Sequence, residues 1–188
     1  METMQVLDNP TATHCCDQQA ENRIATTDAP YRFVQSGLPN VFLVGIKYEV
    51  CKECGQQAAW IPAATELFDA LARIIVSKVS PLTGPELRFL RKRLRIKAVK
   101  FAPMISLSPE YVSSLENNPD PIDPGRDKLV RIIYRAMTTD KTLKGVFGNS
   151  EDFQRWITAI HKGATGERIV ASRLRNNHWK VESEPVAA

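Results

Sequence analysis

The sequence predicts a mainly α fold with a small β part. Three observations carry that expectation. Of the 188 residues, 43% are hydrophobic and 24% charged, the balance of a globular chain with enough apolar surface for one domain or two small ones. Between Tyr31 and Val50, β-branched and aromatic residues cluster around the turn formers Gly37, Pro39 and Asn40. From residue 63 onward, apolar residues recur at steps of three and four, the period of a helix buried on one face. The longest apolar runs, 41–46 and 58–64, fall far short of the ~18 to 20 residues that span a bilayer. Glu2, Asp8 and Asp17 interrupt the stretch where a signal peptide would be apolar, so the expected location is the cytoplasm, with no membrane partner.

Residues 1–30 hold few large apolar side chains and are expected to be mostly irregular, apart from His14-Cys15-Cys16, the first half of a metal site. A β module follows over 31–62. It contains Cys51-Lys52-Glu53-Cys54-Gly55, in which two thiolates two residues apart can reach one tetrahedral zinc while the glycine permits the tight turn. Three readings stand for the cysteines. Cys15, Cys16, Cys51 and Cys54 hold a structural zinc, with His14 as a substitute ligand; or the site has lost its metal; or Cys51 and Cys54 are a redox pair, although no βαβ pattern surrounds them. Zinc is preferred, because so short a sheet buries too little to fold alone and a metal clip from its start to its end adds stability. Four thiolates would close the coordination shell, which makes the role structural.

Residues 63–80 are expected to form a linking amphipathic helix with Leu67, Phe68, Leu71, Ile74 and Ile75 on one face. Four short helices follow over 81–137. The first is opened by the capping box Thr83-Gly84-Pro85-Glu86, with Leu82 and Leu87 as a hydrophobic staple, and runs to about Leu94. The second covers Ala98 to Ile105, with Phe101, Ala102 and Ile105 inward, and Ser106-Leu107 is the turn after it. Ser108 caps the third and Pro109 takes its first position, with Val112 and Leu115 buried. Asp123-Pro124 repeats that start for a fourth helix whose apolar face is Leu129, Ile132, Ile133 and Met137. Short helices with a tight turn between the middle two describe a helix-turn-helix. In the remaining extension, 138–188, a helix is expected from Glu151 to His161. A hairpin follows, of Ile169 to Arg175 and His178 to Glu182 about Asn176-Asn177.

Charge is unevenly spread. Residues 1–30 carry a net −4, whereas residues 77–100 hold eight Lys or Arg against Glu86 alone, a net +7. Such a stripe is either a polyanion footprint or a solvated helix face. A helix in the major groove presents its N-terminal side chains to base edges while cations fix the register on phosphates, so the candidate base-reading residues are Pro109, Glu110, Tyr111, Ser113 and Ser114, with Asn117 at the helix end. Glu110 can accept from cytosine N4, and Tyr111 suits a thymine methyl or a phosphate. Tyr111 and Ser113 are equally able to pack inward. Lys92, Arg95, Lys97 and Lys100, with Arg88, are the candidate phosphate contacts.

From Leu82 to Met137 the chain resembles the lambda-repressor-like, or Xre-type, helix-turn-helix proteins. Phe101-Ala102, Ser106-Leu107-Ser108, Val112-Ser113 and Leu115-Glu116-Asn117 carry the likeness. Two positions depart from it: Ser106 stands where a turn glycine is usual, and Ala98 where a polar residue commonly opens the second helix. The resemblance implies that Arg91 pairs with Glu116 as a structural ion pair and does not touch DNA. Residues 31–43, then Cys51-Lys52-Glu53-Cys54-Gly55 and Ile61-Pro62, are similar to the MqsA-type antitoxins and YgiT-type zinc-finger regulators, with Cys15-Cys16 in place of the more usual CxxC. That likeness covers roughly residues 14–137 and implies a zinc module followed by a DNA-binding module that dimerises and represses its own promoter; with the reading of the residues it gives an N-terminal zinc-ribbon-like module, a linking helix, a lambda-repressor-like helix-turn-helix and, outside the likeness, a short α/β C-terminal extension.

No GxGxxG, Walker loop, HExxH or GxSxG is present, and Gly163-Ala164-Thr165-Gly166 lacks the lysine of a phosphate loop, so no catalytic residue is expected. His161 and His178 are isolated. The expected function is a sequence-specific DNA-binding transcriptional regulator, a homodimer on a palindromic double-stranded operator. The alternative is an antitoxin that binds a toxin and represses its own operon.

Overall fold

The computed structural model describes residues 20–138, 150–160, 167–174 and 178–185, which form a mixed α/β structure of six helices and two small sheets. The N-terminal strands are β1 (Ala20–Ile24), β2 (Tyr31–Arg32), β3 (Val41–Val44), β4 (Lys47–Cys51) and β5 (Gln57–Ala59). Helices α1 (Ala64–Ser77), α2 (Gly84–Arg93), α3 (Ala98–Phe101), α4 (Pro109–Asn117) and α5 (Pro124–Met137) follow, then α6 (Ser150–Ala159) and the strands β6 (Glu167–Arg173) and β7 (Trp179–Pro185).

The small sheet expected over 31–62 is two sheets, and neither is made only of residues from that range. One is antiparallel, in the order β1-β4-β5, and its β1 lies in the segment expected to be irregular. The other has the order β2-β3-β6-β7, with β3 and β6 parallel and Val41 opposite Ile169. The C-terminal hairpin is therefore a structural part of the N-terminal sheet. Its strands match the expected ones closely, from Glu167↔Pro185 to Arg173↔Trp179, while Asn176-Asn177 and Arg175 lie outside the described residues.

One hydrophobic core runs from the second sheet into the helices, joining Tyr31, Leu38, Val41 and Leu43 to Leu71, Leu87, Phe101 and Val130. Helix α1 mediates. Its first turn is held by β7, where Trp179 donates from Nε1 to the Pro62 carbonyl at 3.0 Å and His178 Nδ1 sits 3.0 Å from a Glu66 carboxylate oxygen. That contact, with the Trp179 amide, holds the Glu66 carboxyl below its ordinary range.

The far end of α1 is held by charge. Arg131 and Asp127, one turn apart on α5, are both completely buried and paired, although the fourth helix is expected to turn Leu129, Ile132, Ile133 and Met137 inward. Val130, Arg131, Tyr134 and Arg135 are the buried residues instead, Leu129, Ile132 and Ile133 are half-buried, and Met137 is 48% exposed. The reason is the end of α1. Arg131 donates to the carbonyls of Val76 at 3.0 Å and Ser80 at 2.8 Å, satisfying acceptors that a helix end leaves open, and Asp127 accepts from the Leu82 amide at 2.8 Å. This hub fixes the 78–82 connection and hence the bundle that follows.

Candidate nucleic-acid interface

Local chemistry builds the helical unit. Thr83 N–H donates to Glu86 Oε2 at 2.8 Å in the expected capping box, and Glu86 also pairs with Lys78 Nζ at 2.8 Å. The Ser108 hydroxyl accepts from the Tyr111 amide at 3.2 Å, and Asp123 accepts from the amides of Gly125 and Arg126 at 3.1 Å each. The expected helix 98–105 is α3 followed by a tighter 3-10 turn over Ala102–Ile105, because Pro103 brings no amide to the ladder.

Both α2 and this 3-10 turn end in the same backbone arrangement. After α2, Arg95 N–H donates to Lys92 O at 2.9 Å and Ile96 N–H to Arg91 O at 3.3 Å, with Arg95 at φ +58°. After the 3-10 turn, Ser106 N–H donates to Pro103 O at 3.2 Å and Leu107 N–H to Ala102 O at 3.0 Å, with Ser106 at φ +55°. These are Schellman ends, in which a left-handed residue lets orphan carbonyls be satisfied, and glycine is the usual occupant. A side chain there costs about 1 to 2 kcal/mol.

Helix α4 is seated by three contacts. Val112 and Glu116 are buried, and Glu116 takes a bidentate pair from Arg91, Nε to Oε1 at 2.5 Å and Nη2 to Oε2 at 2.8 Å. Arg91 also donates to the Ile96 carbonyl at 2.7 Å, so it braces α2, α4 and the start of α3 together, and its pairing with Glu116 raises its pKa. The third contact is at Gly84, where a Cβ would lie 1.9 Å from Leu115 O and 2.4 Å from Asn118 O. Only a glycine permits that crossing.

What remains on α4 faces outward. Glu110, Tyr111, Ser113, Ser114 and Asn117 are exposed and Pro109 is half-exposed; Tyr111 retains 53% of its surface, so neither Tyr111 nor Ser113 packs inward. Glu110 bonds to its own backbone amide and to the Ser108 hydroxyl, which hold its carboxyl below the ordinary range, and at neutral pH it is an acceptor only. Asn117 donates to Ser113 O at 2.8 Å and accepts from Arg88 Nη1 at 3.4 Å.

The eight cations of 77–100 separate into two groups. Lys78 is taken by Glu86, Arg91 by Glu116 and Arg93 by Asp69. Arg88, Lys92, Arg95, Lys97 and Lys100 are exposed. Sequence reasoning singles out Arg91 as structural but misses the roles of Lys78 and Arg93. It also passes over Asp127 and Arg131, whose spacing of four on one helix is the signal that could find them, and Gly84, which nothing local distinguishes.

Of the cysteines, Cys51 is buried at the end of β4 and Cys54 is exposed, while His14, Cys15 and Cys16 lie outside the described residues. The knuckle is a tight turn: Gly55, at φ +69°, donates to Cys51 O at 3.0 Å, and Cys51 donates to Gln56 O at 2.9 Å. Ala20 pairs with Cys51, so the chain enters β1 at the end of the sheet that carries the knuckle. Among the described residues no group of three or more metal-ligating side chains occurs, and no helix is long and apolar enough to cross a membrane.

No protein-family model matches the sequence, and no curated protein or solved structure is significantly similar to it.

Proposed function

We propose that the chain is a sequence-specific DNA-binding transcriptional regulator that acts as a dimer on a palindromic operator, with α3 and α4 as a lambda-repressor-like helix-turn-helix. The observation that carries this reading is the division of α4. One side is locked by Val112, Glu116 and the close crossing at Gly84, and the other offers a row of unburied polar side chains beginning at the helix N-terminus. Arg95, Lys97 and Lys100 add exposed positive charge at and before α3. Arg95 holds a left-handed conformation that glycine would adopt more cheaply, which fits a position kept for its charge.

Base contacts discriminate and phosphate contacts position, so the two sets of residues are separable. Selection from a random duplex pool, followed by titrations at several salt concentrations, tests this. Glu110→Ala and Ser114→Ala relax preference at one or two base pairs per half site, with ~1 to 3 kcal/mol of discrimination carried by each base-edge hydrogen bond removed. Lys97→Ala and Lys100→Ala weaken operator and random DNA alike and reduce the salt slope by about one for each phosphate no longer neutralised. An unchanged motif in both α4 variants removes α4 as the reading helix.

The β1-β4-β5 sheet is read as a zinc-ribbon-like module clipped by Cys51 and Cys54 with the Cys15-Cys16 group. Its support is the register that brings the chain into β1 beside Cys51, together with the glycine turn of the knuckle. The metal would supply folding energy and no chemistry. Elemental analysis should find about one zinc per chain, and a folded, metal-free protein excludes the clip.

The antitoxin reading has one observation of its own. Ile24 at the end of β1 and Trp60 just after β5 are 61% and 56% exposed, a placement that suits a protein partner on this sheet. A toxin-like reading frame beside this one, and co-purification of its product, would favour that role.

A further inference from the structure

A cleft of about 380 Å³ opens between the turn at Val34–Ser36 and helix α2. Its volume is within the range of small-molecule sites, and its lining has the division such sites show, an apolar floor and a few convergent polar groups. Phe68 of α1 and Phe89 of α2 supply the floor, with ring centroids 6.1 Å apart and planes inclined by 37°. Arg88, Lys92 and Arg93, all on α2, supply one wall, and Gln35 faces them from the turn.

We propose that this cleft binds a small organic anion with a flat aromatic body, a carboxylate or phosphate monoester of about nucleoside size. Charge identifies the head group. Among the described residues no acidic side chain lines the cleft; Arg93 is paired with Asp69 just outside it, while Arg88 and Lys92 stay exposed. An anion seated between Arg88 and Lys92 gains charge-assisted bonds from a guanidinium and an ammonium. The rings identify the body. Arg93 already lies 5.8 Å from the Phe68 centroid, so the floor and the cationic wall meet, and a planar group against Phe68 carries its anionic substituent toward Arg88 and Lys92.

The cleft adjoins the C-terminal end of α4, the end opposite the side chains that open the proposed reading helix. Arg88 reaches Asn117, the last residue of α4, roughly 10 Å along the helix from Glu110. The assignment rests on the cavity and does not require DNA binding.

The test is titration of the full chain at low salt, followed by amide spectra. The probes are naphthoate and adenosine monophosphate, with naphthamide and adenosine as neutral counterparts, inorganic phosphate as the bare anion, and a random DNA duplex as competitor. At least one organic anion should bind saturably with shifts confined to residues 35–37, Phe68 and α2, and its neutral counterpart and phosphate should bind at least about tenfold more weakly. Lys92→Gln should weaken binding about three- to tenfold and the Arg88→Gln, Lys92→Gln double variant more, at an unchanged melting temperature. Gln35→Trp, which fills the cleft without touching charge, should weaken it independently. Failure of both organic anions to saturate, or equal binding by the neutral counterpart or by phosphate alone, overturns the proposal. So does displacement by the duplex with shifts spreading onto α4, which would assign these cations to DNA.

Discussion

The helices of 84–137 and the strands that surround β3 fold by opposite rules. In the helical unit, structure begins with contacts three or four residues apart: Thr83 with Glu86, Ser108 with Tyr111, Asp123 with Arg126. In the sheet, β3 is completed by a strand from the other end of the chain, Val41 beside Ile169. Hydrogen-bond donors in a helix end are met by the nearest side chain, whereas a strand edge can be met by any strand whose pattern fits. The first kind of region is legible from a window of residues; the second depends on which segments the whole chain can bring together.

The largest expected effect breaks the sheet side of this contrast. Ala171 of β6 is fully buried, and Ala171→Asp places a carboxylate there with no partner. The cost is ~3 to 5 kcal/mol, and because β7 holds α1 through Trp179, both Trp179 fluorescence and the main melting transition should change together. A helical transition left at its original temperature would mean that the two regions fold independently.

Gly84 tests the limit of locality in the helical unit. Gly84→Ala should raise intrinsic helix propensity yet destabilise by ~3 kcal/mol, because the new methyl meets backbone oxygens of Leu115 and Asn118 that no rotamer change can move. Chemical denaturation measures the sign. A gain in stability would show that α2 and α4 do not cross as closely as described.

The smallest effect is a gain. Ser106→Gly should stabilise by about 0.5 to 1 kcal/mol, since glycine removes the left-handed penalty at φ +55° but loses more chain entropy on folding. A rise of a few degrees in melting temperature with α4 unaltered by amide spectra would support it, and no rise would place the cost of this turn elsewhere.

Legibility follows the same division at the candidate site. The caps, the turn at Ser106 and the Arg91–Glu116 pair are readable, the first two from residue chemistry and the third through a resemblance. The inward face of α5 is not. A periodic count puts Leu129, Ile132, Ile133 and Met137 inside, because it scores apolarity and cannot know that the open carbonyls at the end of α1 make burial of Arg131 favourable.

The sequence by itself determined where the helices of 84–137 start, that strands occur between Tyr31 and Val50 and in the C-terminal hairpin, and that positive charge concentrates in 77–100, since each of these is a property of neighbouring residues. Only the tertiary structure decided how that charge is used. Lys78, Arg91 and Arg93 are consumed by Glu86, Glu116 and Asp69, and Arg88 and Lys92 instead border a cleft against residues of the sheet module and α1. An ion pair depends on distance in space, so a stripe of eight like charges carries no record of which of them the fold will neutralise.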